Sequence, residues 1–385
     1  MKYADRINRI PPYLFAEIDK TITSKRKSGV DVISLGIGDP DIPTPKEIVE
    51  SLSLASQKTV NHRYPSYEGM IEFRDACAVW MKKRFNVELN PESEVLTLIG
   101  SKEGIAHMPL AFVNPSDVVL YSNPGYPVYE VGTILADGVP VPIPLESEND
   151  FKPDLSAIDL KTARKARIMH LNYPNNPTAA TVETEFFSEV VSFAKEHDII
   201  VCHDAAYSEV SFDGYKAPSF LEVDGALDVG IEFHSLSKTF NMTGWRIGFA
   251  VGNPEVIAGL GKVKQNVDSG VFQGIQEAAI TALKLPATII EKNNRIIQAR
   301  RNLMVDGLSK LGWKVPKPKA TFYLWIPVPD GSPSIDFAKK VLDETGVVVT
   351  PGVGFGEYGE GYIRIALTQS EQRLNEALDR FEKLK

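Results

Sequence analysis

The chain has 385 residues, 43% hydrophobic and 24% charged, a length for two to three domains with ample apolar material for a large core. This composition excludes a wholly disordered chain, and 28 glycines with only 2 cysteines exclude collagen-like and disulfide-stapled architectures. A net charge of −8 offers no basic surplus, so no nucleic-acid partner is expected. Cys77 in DACAVW and Cys202 in IIVCHD stand in apolar surroundings and read as reduced core residues. The opening MKYADRINRI has no apolar signal region, and no run approaches the roughly 18 apolar residues of a membrane span. The expectation is a soluble, cytoplasmic protein, intact from Met1, with no membrane partner.

Residues 1–45 carry IPPYLFAEIDK and SLGIGDPDIPTP, segments too short to fold alone and expected to pack on the C-terminal part. VLTLIGS (95–101) reads as a strand and KEGIAHMPLAFV as a helix. DVVLYS (117–122), VPVPIPL (139–145) and ARIMHLN (166–172) follow as strands. FFSEVVSFAKEHD (186–198) has helical spacing. IIVCHD (199–204), IEFHS (231–235) and RIGFAVG (246–252) complete the run of strand candidates. Strands alternating with helices predict an α/β fold with a mainly parallel sheet. From about 286 the pattern changes to a long charged helix, then WKVPKPKATFYLWIPV, VVVTPG, GYIRIALT and a last helix, which read as a small α+β domain. The predicted division is a large domain over 46–285 inserted between two parts of a small one, 1–45 and 286–385.

The most informative stretch is SLSKTFNMTGWRIG. It follows a strand and offers Ser235, Ser237, Lys238 and, eight residues beyond the lysine, Arg246. A lysine in such a turn is most often merely solvated. Two hydroxyls and a guanidinium fork around it suit a phosphate dianion beside a reactive amine. An amine of that kind condenses with an aldehyde, and pyridoxal 5′-phosphate carries both an aldehyde and a phosphate.

This stretch resembles the lysine signature of class I/II aminotransferases, in the fold type I group of pyridoxal-phosphate enzymes, and the resemblance runs over nearly the whole chain. It implies that fold: a mainly parallel, seven-stranded type of sheet sandwiched by helices, plus a small α+β domain. It implies pyridoxal 5′-phosphate as cofactor and an amino acid and a 2-oxo acid as substrates. Lys238 would anchor the cofactor and carry protons. Asp204, ending IIVCHD, would keep the ring nitrogen protonated, and Tyr207 and Asn176 would reach the cofactor's 3′ oxygen. Ser101 and Lys102, in GSKEG, would cradle phosphate at a helix start, where backbone N–H groups favour anions. Tyr126 would stack on the ring. Arg364, in GYIRIA, would hold the substrate carboxylate, and Gly38 would pack against substrate. Tyr64 would reach the phosphate of a neighbouring subunit, which makes the expected protein a homodimer with shared sites. The bonds Asn123–Pro124 and Asn176–Pro177 would be cis.

Within the group, YLFAEI, GIGDPD and GSKEG most resemble the LL-diaminopimelate aminotransferases. That family would set Tyr13, Gly38, Lys102, Tyr126, Asn176, Gln273 and Arg364 around substrate. Two positions depart from it: Tyr67 stands where a glutamate is frequent, and Gln273 where an asparagine is. The expected reaction moves an amino group from LL-diaminopimelate to 2-oxoglutarate. Alternatives are an aminotransferase for alanine, aspartate or another common amino acid, and a β-lyase for cysteine conjugates. A transcription regulator with such a module would need a DNA-binding domain, for which little chain precedes the first segment. The six histidines form no metal pattern; His203 and His234 are expected simply to occupy strand ends beside the site.

Overall fold

A computed structural model describes residues 1–12 and 14–384. Numbered along the chain, its strands are β1 (Ile33–Ser34), β2 (Val95–Leu98), β3 (Val118–Asn123), β4 (Val139–Pro144), β5 (Ala166–Asn172) and β6 (Ile200–Asp204), followed by β7 (Gly230–Ser235), β8 (Gly248–Gly252), β9 (Tyr323–Pro327), β10 (Val347–Val348), β11 (Thr350–Pro351) and β12 (Tyr362–Ala366). Seven of them form one sheet in the order β2-β8-β7-β6-β5-β3-β4. The neighbours from β7 through β6, β5 and β3 to β4 are parallel, while β8 runs antiparallel to both β7 and β2.

Both faces of this sheet are apolar, as a parallel sheet covered by helices requires. Leu120, Met169, Leu171, Val201 and Phe249 point into one cluster, where the helices Ile71–Phe85 and Thr184–His197 bring Phe73, Met81, Phe187 and Val190. Val119, Ile168, Cys202, Ile231 and Phe233 point into the other, against Ile105 and Met108 of the helix Ser101–Phe112. Strand alternation therefore assigns each polar residue at a strand end to one face or the other.

A separate apolar cluster joins the two ends of the chain. Ile33 and Leu35 meet Leu324, Ile326, Ile363 and Ile365, together with Ile297, Met304 and Leu308 of the helix Thr288–Lys310. β1 pairs with β10 in parallel, and β12 lies antiparallel between β11 and β9. The first helix, Asp5–Asn8, behaves differently from the segment after it. It buries none of its residues, and Arg6 and Arg9 reach Asp137 at 3.1 and 2.8 Å, so ion pairs rather than apolar packing set its place on the sheet-bearing part of the chain. Among the described residues, no helix is long and apolar enough to cross a membrane.

Candidate active site

Parallel strands bring their carboxyl ends to one edge, and polar side chains can gather there without breaking the apolar layers. Asn172, Asp204 and Ser235 end β5, β6 and β7 at this edge. Because β8 runs the other way, its start lies there too, with Arg246 two residues before it. Lys238 sits one short turn beyond β7. Together they line a cavity of about 400 Å³ that is closed from the other side by Gly38, Tyr323 and Arg364.

At one end of the cavity the helix Ser101–Phe112 begins without a side-chain cap, so its first N–H groups are offered to whatever occupies the space. Gly100 has φ +78°, and a Cβ there would lie 2.2 Å from Arg246 Nη2. A Cβ on Gly248 would lie 3.0 Å from the Ser101 nitrogen. Glycine at both positions is thus what lets the guanidinium and the helix start approach each other. Ser235, Ser237 and Thr243 add hydroxyls to the same lining. Arg246 itself holds a left-handed φ of +55° and donates from Nη1 to the Thr243 carbonyl at 2.9 Å.

Lys238 Nζ donates to the Gly38 carbonyl at 2.9 Å. Burial lowers its ammonium to about 8; Asp39 and Asp204 oppose this, and Arg246 and Arg364 reinforce it. Asp204 is buried, and burial raises its carboxyl above the ordinary value. The Tyr129 hydroxyl donates to Asp204 Oδ2 at 3.0 Å and the Ala206 N–H to Oδ1 at 3.2 Å, which offsets part of that penalty. Asn172 ties the neighbourhood together. Its amide donates to the Asp204 carbonyl at 2.7 Å, and its Oδ1 accepts from the Asn176 N–H at 2.7 Å.

Arg364 is 1% exposed. Its Nη1 donates to Asn176 Oδ1 and its Nη2 to the Gly36 carbonyl, both at 2.7 Å, and its fork lies 4.1 Å from the Tyr323 ring centroid. The strap carrying Gly36 and Gly38 is pinned from behind by Thr350 and Thr368, whose hydroxyls donate to the Gly36 and Ile37 carbonyls. Tyr207 and Tyr323 share a 2.9 Å hydroxyl–hydroxyl bond. A Cβ on Gly38 would stand 1.9 Å from that Tyr323 oxygen, so the close approach of the strap requires glycine. Asn123–Pro124 and Asn176–Pro177 are cis, as is Tyr173–Pro174.

The cavity therefore gathers Gly38, Ser101, Lys102, Tyr126, Asn176, Asp204, Tyr207, Ser235, Ser237, Lys238, Arg246 and Arg364 from the residues expected at the site. It does not take in Tyr64 or Gln273. Tyr64 is 86% exposed and lines a second, open cavity with His62, Gly270 and Phe272, while Gln273 opens the helix Gln273–Lys284. Tyr13 lies outside the described residues. The polar lining residues Asp19, Asn172, Thr243 and Tyr323 carried no role in the sequence reading, nor did Tyr129, which stands behind Asp204. The signal for Tyr129 was its position three residues after Tyr126, and for Asn172 its place at the end of an apolar run. His203 is turned away from the site. It lies on the opposite face from Asp204, where its Nδ1 and the His234 Nε2 meet the buried Glu232 carboxylate at 2.8 and 2.7 Å. The strand-end reading of His203 and His234 thus becomes a buried polar triad that also takes hydrogen bonds from Ser219 and the Phe220 N–H.

The sequence pattern of aminotransferase class I and II matches residues 30–381. The chain belongs to the class I and II aminotransferases. As an enzyme of this family the aminotransferase acts on amino-acid and oxo-acid substrates, and the family generally uses pyridoxal 5′-phosphate and is typically dimeric. It is 57% identical to an LL-diaminopimelate aminotransferase of Desulforudis audaxviator, over 98% of this chain and 96% of that protein. It is 55% identical to one of Halothermothrix orenii, over 99% and 98%. Among solved structures, substrate-bound BacF from Bacillus subtilis aligns with TM-score 0.97 at 38% identity, over 100% of this chain and 98% of that one. An aspartate aminotransferase double mutant of Thermus thermophilus aligns with TM-score 0.93 at 27% identity over the whole of both chains. The aminotransferase therefore has the fold expected of the type I group.

Proposed function

We propose that this aminotransferase moves the amino group of LL-diaminopimelate to 2-oxoglutarate, giving tetrahydrodipicolinate and glutamate. The observation that carries the reading is the identity of 52–57%, over nearly the full chain, to relatives bearing the name of that reaction. The cavity supports it with a buried arginine fork for one carboxylate and a second cation, Lys102, for another.

The residues present fit pyridoxal 5′-phosphate as the working group. An uncapped helix start, two serines and Arg246 suit its phosphate, and the glycines at 100 and 248 leave the space that a Cβ would fill. Lys238 suits its aldehyde and Asp204 its ring nitrogen. Tyr126 would stack on the ring, and Tyr207 and Asn176 would reach its 3′ oxygen. When bound, the cofactor supplies an aldehyde that takes the amino group and a ring that accepts electrons. The chain's own residues supply the rest. An amine near 8 can be free at physiological pH, so Lys238 Nζ can take the proton from the substrate Cα and return it. Asp204 holds a proton on the ring nitrogen, and Tyr129 keeps its carboxylate oriented. Arg364, set by Asn176 and the Gly36 carbonyl, fixes the substrate carboxylate and with it the Cα–H direction.

The reading includes a homodimer in which Tyr64 of one subunit reaches the other's phosphate site and Gln273 approaches its substrate. Tyr13 belongs to the substrate contacts in the same reading. It also divides the chain into a large domain, 46–285, and a small one from 1–45 and 286–385; an apolar cluster drawn mainly from the chain's two ends, with Tyr207, Val210 and Phe212 packed into it, supports this. The deciding experiment compares kcat/KM for LL-diaminopimelate with aspartate, alanine and aromatic donors, using 2-oxoglutarate as acceptor. The first should lead. A tenfold preference for any of the others, about 1.4 kcal/mol of transition-state binding, rejects this substrate.

A further inference from the structure

The ionic groups lining the candidate active-site cavity are four cations, Lys102, Lys238, Arg246 and Arg364, and two carboxylates, Asp19 and Asp204. Under the function proposed above, Arg246, Lys238 and Asp204 are taken by the cofactor's phosphate, aldehyde and ring nitrogen. Two cations and one carboxylate remain to meet the substrate. LL-diaminopimelate, once its reacting amine is set aside, presents two carboxylates and one ammonium. Glutamate in the same position presents two carboxylates and no ammonium. The residual charges of the cavity match the first substrate group for group, and Asp19 is the surplus that the second does not use.

Asp19 comes from the N-terminal helix Leu14–Lys27, which reaches the cavity from outside the sheet edge. Its carboxylate is exposed at the cavity mouth and makes no hydrogen bond or ion pair to another described residue, so it is open to a bound cation. The other acidic candidate near the exposed Tyr64 and Tyr67 is Glu68, and that carboxylate is already engaged. It lies 3.9 Å from Arg74 Nη2 and accepts from Gln265 at 3.4 Å. With only the two remaining cations at the wall, the distal ammonium of a diamino acid would be repelled; a carboxylate there gives it an opposite charge to meet. We propose that Asp19 receives the distal ammonium of the amino donor and thereby selects diamino dicarboxylates over dicarboxylates with a single amine. This inference rests on the LL-diaminopimelate reading.

The test uses holoenzyme and a pair of donors that differ only in the group concerned: LL-diaminopimelate and L-2-aminopimelate, which has the same carbon chain and carboxylates but no distal amine. Wild-type enzyme should prefer LL-diaminopimelate by tenfold or more in kcat/KM, the scale of a charge-assisted hydrogen bond. Asp19→Asn keeps the size of the side chain and should bring the two donors within about threefold, chiefly through KM for LL-diaminopimelate. Asp19→Ala should do the same. A preference that survives both substitutions overturns the role of Asp19. So does a preference lost in Glu68→Gln and kept in Asp19→Asn, which would assign the carboxylate to a neighbouring subunit. An equal fall for both donors in Asp19→Asn also overturns it, because that is the result of a displaced helix. Wild-type enzyme that transaminates aspartate but not LL-diaminopimelate overturns the substrate reading itself, and the inference with it.

Discussion

Lys238 is a basic group held where its charge is disfavoured. Its ordinary value is 10.5, and burial, with Arg246 and Arg364 nearby, brings it to about 8 in the folded protein. Between these values the unfolded chain keeps the proton that the folded chain has released, so this group makes the fold more stable as pH rises through that window. Below about 8 both states are charged and the folded one bears the whole burden of the buried ammonium. Lys238→Met replaces the ammonium by an apolar group of similar length. In cofactor-free protein the variant should be more stable than wild type at pH 7, by on the order of 2–3 kcal/mol. The gap should shrink as pH is raised from 8 toward 10.5. Denaturant unfolding of both proteins at several pH values measures it, and a gap that is absent at pH 7, or unchanged at pH 10, contradicts the argument. The same cost gives the enzyme an amine that titrates near physiological pH, which the proposed proton transfer needs. Asp204 shows the complementary arrangement. Burial raises its carboxyl, and the Tyr129 hydroxyl and Ala206 N–H restrain the rise; a cationic partner at the proposed ring-nitrogen position would complete its electrostatics.

At the scale of the element, the site is made by ends: the last residues of β5, β6 and β7, the start of β8, and the first turn of the helix Ser101–Phe112. Gly100 is the joint between β2 and that helix. Its φ of +78° with ψ of 152° is a conformation open essentially to glycine, and a Cβ would press on Arg246. Gly100→Ala should therefore weaken cofactor binding by tenfold or more, while Gly244→Ala, where a Cβ meets nothing within 4 Å, should leave it near wild type. Cofactor titration followed by its visible absorbance distinguishes them, and equal affinity in the two variants would remove the geometric argument. The large sheet was legible in the sequence because a sheet covered on both faces needs nearly continuous apolar runs, and ARIMHLN and IIVCHD are such runs. Where boundaries shifted there is a local cause. RIGFAVG reads as a strand from 246, yet β8 starts at Gly248, because the left-handed backbone of Arg246 cannot continue a strand. The direction of β8 was not legible, since strand polarity is decided by how the link from Lys238 to Arg246 folds and not by the apolar pattern. The pairs Tyr129–Asp204, Tyr207–Tyr323 and Arg364–Asn176 were hidden for a similar reason. Their members lie 75, 116 and 188 residues apart, and no local periodicity encodes such meetings.

At the scale of the whole molecule, one chain gathers in its cavity nearly every group that the proposed chemistry uses and leaves Tyr64 outside it. Tyr64 projects into solvent, and Val60, Tyr67, Val267 and Phe272 are exposed around the same region. Monomeric surfaces rarely leave such residues together, and a second subunit is the ordinary way to cover them. In the proposed dimer each site then combines Lys238 of one chain with Tyr64 of the other. That division of labour is testable by mixing. Lys238→Ala removes the amine from its own site. Tyr64→Phe removes the hydroxyl offered to the neighbour, and it should lower activity by weakening cofactor binding. A hybrid of the two variants contains one site with both defects and one with neither. Random reassociation makes half of the dimers hybrids, so the mixture should recover about a quarter of wild-type activity at limiting cofactor. Two different affinity tags on the Lys238→Ala and Tyr64→Phe subunits, with both recovered together on either tag, serve to prove that subunits exchange. If exchange is demonstrated and the two variants together yield no more than the Tyr64→Phe protein contributes by itself, each site is complete within one chain, and the exposed patch around Tyr64 covers something other than the active site.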